Sequence, residues 1–214
     1  MSTHLDEGIV ALDAQAVRES VRLVDRSTAA DLSRPTPCAG WTLADLLTHM
    51  TTQHYGFAAA STGDGDLANW QPRSLGDDPV ASYRAAAEHV VAAFAVDGIL
   101  DRQFPLPEIP RLPAFPARQA ISFHFIDYVV HSWDVAKTLG IEPTFDPPLL
   151  DAALAVAQAV PAGQARLVPG AAFAPKIDWP ANSPLDQGSP SDQGSPLDQI
   201  VATLGRSPNW QPPT

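Results

Sequence analysis

Four stretches of this chain, about residues 8–31, 43–61, 78–96 and 117–139, repeat apolar side chains at helical intervals, and few segments alternate at period two. Segments of that length, each with an apolar stripe, must bury the stripes against one another. Four of them predict an all-α four-helix bundle.

The first segment places Ile9, Leu12, Val17, Val21 and Val24 on that spacing. Pro35, Pro37 and Gly40 break the chain after it. Thr42, with Asp45 three residues on, marks a capped helix start, and Leu43, Leu46, Leu47, Met50, Phe57 and Ala58 form the next stripe. An alanine-rich run over 85–93 supports the third helix. Prolines at 105, 107, 110, 113 and 116 exclude a helix interior from the connector 104–116, which is expected to run extended and line the mouth of a site.

Gly140 stops the fourth helix, and Pro147 and Pro148 open a short fifth one over about 148–160. Between 183 and 200 a six-residue unit of the type Ser-Pro-Leu-Asp-Gln-Gly occurs three times. It predicts a flexible loop leading into a short helix over 197–204. Residues 1–160 are therefore expected to form the bundle domain with its following helix. Residues 161–214 are expected to form an extended C-terminal tail that packs back on the bundle.

Charge narrows the partners. The net charge is −11, Lys137 and Lys176 are the only lysines, and no basic cluster occurs, which argues against nucleic acid. The single cysteine, Cys38, excludes an intrachain disulfide and suits a reducing compartment. The start of the chain lacks the pattern of a signal peptide, and no apolar run approaches the roughly 20 residues that span a bilayer. A cytoplasmic protein with a small-molecule substrate and no membrane partner is expected, as a monomer or a homodimer.

The chemistry sits in the fourth helix. Asp127 and His131 are one turn apart and share a face, so both can hold one metal ion. His49, on a facing helix, can supply a third ligand. Three protein ligands with an open position describe a catalytic metal site. Zinc is the first expectation for two imidazoles and a carboxylate, and nickel, iron and manganese also suit these ligands.

His124, three residues before Asp127, is the candidate catalytic group, as a fourth ligand, a hydrogen-bonding neighbour or a proton shuttle; a histidine that only lines the pocket is the competing expectation. His54 is expected at the surface, and His4 and His89 carry no assigned role. Cys38 is expected to pack before a helix start. Trp41 and Trp133 are expected in the core or a pocket wall. Asp134 can orient a ligand histidine, cap the helix or pair with a cation.

Three stretches carry a resemblance. The run Thr36-Pro37-Cys38-Ala39-Gly40-Trp41, continuing to His49, resembles the opening signature of the mycothiol-dependent maleylpyruvate isomerase N-terminal domain family. Asp127, His131 and the following Ser132-Trp133-Asp134-Val135-Ala136 resemble its second signature. Leu204-Gly205-Arg206-Ser207-Pro208-Asn209-Trp210 resembles the tail of actinobacterial metal-binding members. The resemblance implies a DinB-like bundle with His49, Asp127 and His131 as metal ligands, and mycothiol as a cosubstrate. Arg206, in that tail, is the candidate cofactor-binding residue, able to bind a carboxylate; a structural ion pair is the competing and more frequent role of such an arginine.

Two departures stand out. The isomerases carry glutamate where this chain has Asp127. The larger C-terminal domain that contributes to the isomerase's substrate site has no counterpart here.

A metal-dependent enzyme is the expected function. A metal-bound thiol loses its proton, and the thiolate can add to a small electrophile in S-transfer or isomerisation. A metal-dependent hydrolase or lyase without a thiol, and a non-catalytic metal-binding protein, are the alternatives.

Overall fold

A computed structural model describes residues 3–109, 112–167, 172–179 and 195–213. Among the described residues six α-helices account for the architecture: α1 (Thr3–Val24), α2 (Leu43–Ser61), α3 (Pro79–Phe94), α4 (Ala117–Leu139), α5 (Pro147–Ala159) and α6 (Pro196–Thr203). The chain divides into two compact units, Met1–Pro143 and Thr144–Thr214. Among the described residues no helix is long and apolar enough to cross a membrane.

The first unit is the four-helix bundle. α1 packs on α4 and α3, and α2 packs on α3 and α4. α4 is the most enclosed helix, burying Ile121, Phe125, Tyr128, Val129 and Trp133. Such a helix needs neighbours all round: α1 and α2 pack on it, and Phe94 of α3 meets His124 with ring centroids 5.3 Å apart.

Local chemistry fixes the helix ends. The Thr42 N–H donates to Asp45 Oδ2 at 2.9 Å, and the Asp45 N–H donates back to Thr42 Oγ1 at 3.3 Å, closing the capping box of α2. Gly140 ends α4 at φ 69°, in the left-handed region that costs glycine least.

The end of α1 differs from the periodicity, which extended it to 31. The helix stops at Val24, because the Thr28 N–H and hydroxyl both donate to Asp31 Oδ2, at 2.8 and 2.7 Å. Those bonds start a separate 3-10 turn, Ala29–Asp31.

The proline-rich connector is pinched at its base. Gln103 pairs with Pro116 and Phe104 with Phe115 in a two-residue antiparallel ladder, β1 (Gln103–Phe104) and β2 (Phe115–Pro116). Glu108 of the connector accepts a hydrogen bond from Gln53 Nε2 at 2.9 Å, one turn of α2 beyond His49. The connector thus lies against the helix that carries the first candidate ligand.

A close approach clamps α2 nearly two turns beyond His49. Trp70 lies so near Gly56 that a Cβ there would fall 2.6 Å from the indole. Gly56→Ala should therefore destabilise the protein by about 1–3 kcal/mol, although alanine is the better helix former. Urea unfolding reads the effect, and an unchanged midpoint would show that the indole moves aside freely.

In the second unit α5 packs on α6. The Arg166 guanidinium gathers the carbonyls of Pro161, Val160 and Thr203. Ser195 and Asp198 form the capping box that opens α6. Most of the hexapeptide repeat, residues 183–194, lies outside the described residues.

Candidate metal centre

α2 presents His49, and α4 presents Asp127 and His131. Asp127 Oδ2 lies 3.8 Å from His49 Nε2, and Asp127 Oδ1 lies 3.3 Å from His131 Nε2. The two imidazole centroids are 5.1 Å apart. One ligand atom from each residue falls within 4.8 Å of the others. Aspartate is long enough here, since each of its oxygens addresses a different histidine.

The face is graded in depth. The side chains of His49 and Asp127 are 30% and 21% exposed, while that of His131 is only 4% exposed. A cation held by these three atoms would be gripped from below and approachable from one side. Trp41 stands at that side, 36% exposed, with its ring centroid 5.0 Å from His49. Trp133 is instead a core residue, with the Lys137 ammonium 5.5 Å from its ring.

His131 is held from behind. Its Nδ1 lies 2.9 Å from Asp134 Oδ2, and the Cys38 thiol donates to that same oxygen at 3.2 Å. A carboxylate oxygen can only accept, so Nδ1 carries the proton and Nε2 is turned toward Asp127.

Cys38, His131 and Asp134 also group closely enough to hold an ion. They make no nucleophile relay, because thiol and carboxylate both address one ring nitrogen, leaving no base between them. A carboxylate on Nδ1, with Nε2 facing the other donors, is the arrangement usual behind a metal-ligating histidine.

Charge in the site follows from burial and proximity. Burial pushes the Asp127 carboxyl up, but the His131 and His49 imidazoles outweigh this and hold it well below the usual carboxylate range. Burial pushes His131 down, and Asp127 and Asp134 overcome it, raising it well above an ordinary histidine. A proton on His131 thus neutralises Asp127, and a divalent cation would have to displace that proton.

His124 does not join this donor set. It is fully buried, with Nδ1 2.6 Å from Asp13 Oδ1 and Nε2 3.2 Å from His54 Nδ1. The expectation that His54 lies at the surface is overturned: it is fully buried and stacked on Tyr128, with centroids 4.1 Å apart. The reason is its position, one turn after Met50 on the apolar stripe of α2. Asp13, which sequence reasoning passed over, carried a similar signal: a carboxylate between Ile9 and Val17 where the stripe of α1 calls for an apolar residue.

Arg206 is mostly buried in the second unit, where Nη1 donates to the Leu204 carbonyl at 3.2 Å and Cζ lies 5.7 Å from the Phe173 ring centroid. His89 is exposed, and Cys38 is partly exposed beside the centre.

The profile of the mycothiol maleylpyruvate isomerase N-terminal domain family matches residues 14–136, a span that includes His49, Asp127 and His131. Two uncharacterized proteins of Mycobacterium tuberculosis, from strains CDC 1551 / Oshkosh and ATCC 25618 / H37Rv, are similar to this chain. Each is 31% identical over 184 residues, covering 84% of this chain and 87% of the relative. Among solved structures, that of the mycothiol-dependent maleylpyruvate isomerase superposes with a TM-score of 0.53 at 14% identity. The match covers 72% of this chain and 68% of the other, and it shows a shared fold.

Proposed function

Because the chain belongs to the mycothiol maleylpyruvate isomerase N-terminal domain family, we propose that it is a metal-dependent enzyme. His49, Asp127 and His131 hold a divalent cation, zinc first among the candidates. A low-molecular-weight thiol of the mycothiol type is activated there for S-transfer to, or isomerisation of, a small electrophile. The observation that carries this reading is the convergence of two imidazole nitrogens and one carboxylate oxygen within 4.8 Å, with His131 backed by Asp134.

The residues fit such an ion. Two neutral imidazoles and one carboxylate leave coordination positions open toward the exposed side. A cation bound there would supply Lewis acidity, keeping a coordinating thiol deprotonated at neutral pH. The chain supplies the rest. Asp134 fixes the tautomer and plane of His131. Asp127 brings one negative charge between two histidines. Trp41 gives the open side an apolar wall against which a substrate can lie. A cytosolic setting, where small thiols stay reduced, suits the reaction.

Asp134→Ala should keep the fold and weaken zinc binding about 10- to 100-fold, the usual cost of losing a partner behind a ligand. Competition with a chromophoric chelator measures it, and unchanged affinity would remove Asp134 from the account. The reaction itself is tested by loading the protein with zinc and following mycothiol consumption against monochlorobimane. Metal-dependent consumption, lost in His49→Ala, supports the proposal. Stoichiometric zinc without thiol turnover against any of a panel of electrophiles would favour a hydrolase or a non-catalytic metal protein.

A further inference from the structure

A cavity of about 350 Å3 opens between α2, the 3-10 turn Leu67–Trp70 and α3, with Tyr55, Ala58, Ala59, Asn69, Arg73 and His89 in its lining. By helical periodicity its α2 positions turn away from the side that bears His49, so it is separate from the metal donors. The floor is apolar, built by Ala58 and Ala59. The Tyr55 and His89 rings lie 5.5 Å apart at 40°. The cation is Arg73, whose Cζ lies 4.5 Å from the Tyr55 ring centroid. No carboxylate lines the cavity, and among the described residues none pairs with Arg73.

The frame is fixed by its own bonds. The Arg73 N–H donates to Thr52 Oγ1 at 3.3 Å, and that hydroxyl donates to the Thr48 carbonyl at 2.8 Å. Asp66 caps the turn through the Ala68 N–H at 2.9 Å, and Asn69 Nδ2 donates to Asp64 Oδ2 at 3.0 Å. Trp70, seated on Gly56, ties the turn to α2.

On a chain of net charge −11, Arg73 presents a guanidinium without a carboxylate partner among the described residues to a lining that holds no carboxylate of its own. Its planar fork matches a carboxylate, and stacking on Tyr55 covers one face while leaving the donor edge available. The volume is at the low end for small-molecule sites, which run from about 300 to 1,000 Å3, and has room for a single ring. We propose that this cleft is a second ligand site, selective for a small aromatic carboxylate. The ring rests on the alanine floor beside Tyr55 and His89, and the carboxylate meets Arg73. The site is independent of the metal.

Benzoate is the probe, added to the full-length 15N-labelled protein and followed by amide chemical shifts. Saturable shifts centred on residues 55–62, 69–73 and 89–93 are expected, with half-saturation at about 1 mM in low salt. Arg73→Gln should raise that concentration about tenfold or more, and Ala59→Leu, which fills the floor, should abolish the shifts. Both variants should keep the parent's circular dichroism melt and the dispersion of its amide spectrum, which shows that they fold. No saturation by about 50 mM, shifts unaffected by Arg73→Gln, or shifts centred on His49 and Asp127 would each overturn the proposal.

Discussion

Replacing Asp127 with alanine is expected to weaken zinc binding by on the order of a hundredfold or more while leaving the bundle folded. Among the described residues Asp127 is the one carboxylate grouped with both His49 and His131, and each of its oxygens faces a different one of them. Without it, a cation would meet two neutral imidazoles 5.1 Å apart and no compensating charge. Its side chain is 21% exposed, so the cavity left behind is open to water and costs little stability. Asp127→Glu should recover much of the binding, since it restores the charge one methylene further out. Calorimetric titration with zinc gives both affinities, and a circular dichroism melt checks the fold. Parental affinity in Asp127→Ala would place the cation elsewhere.

The same charges set the sign of the pH dependence. His131 sits well above an ordinary histidine in the metal-free protein, held up against burial chiefly by Asp127. Its proton must leave before Nε2 can bind a cation. Affinity should therefore rise with pH until His131 has lost its proton, with proton release that varies the binding enthalpy between buffers. A pH-independent affinity between 6 and 8, on about the range where histidines and metals compete, would contradict this.

The second large effect lies in the interior. Asp13→Ala should destabilise the protein by about 3–5 kcal/mol, because it strands a buried His124 nitrogen that now lies 2.6 Å from a carboxylate oxygen. The pair joins α1 to α4, and His54 adds α2 through the 3.2 Å contact with His124. Loss of Asp13 should thus be felt across the bundle, as a fall in the urea midpoint with little change in slope.

His54 contributes a separate pH effect. Burial, with His124 beside it, holds its pKa well below the ordinary 6.5. The unfolded chain therefore binds a proton below pH 6.5 that the folded chain does not take up. This stability is present above 6.5 and is lost as pH falls toward the folded value. His54→Phe keeps the ring against Tyr128 and removes the titration. Below pH 6.5 the parent should lose up to about 1.4 kcal/mol per pH unit more than the variant. Equal slopes would mean that His54 already carries its proton in the fold.

The bundle was legible because α2 and α4 announce their period, caps and stops within the chain; α2 starts on Thr42 and Asp45, and α4 stops at Gly140. The end of α1 was not, because Thr28 and Asp31 bond to each other in preference to another helical turn. Asp127 and His131 could be paired from spacing alone. His49 stood only as a possible third ligand on a facing helix until the resemblance singled it out, since nothing local says which face of α2 meets α4.

His124 shows the limit of same-face reasoning. It lies seven residues before His131, about 10.5 Å along the axis, and that distance carries it to Asp13 and His54 in the interior. Polar residues on apolar stripes, such as Asp13 and His54, signal an internal network. Their partners, however, are fixed only when the helices pack.

The most direct test is the zinc K-edge X-ray absorption of the protein loaded with one equivalent of zinc in thiol-free buffer. Zinc held by His49, Asp127 and His131 should show a first shell of nitrogen and oxygen at about 2.0–2.1 Å, with imidazole scattering from two histidines and no sulfur. A sulfur ligand at about 2.3 Å would move the ion to Cys38 and Asp134, and failure to retain zinc at all would remove the centre altogether.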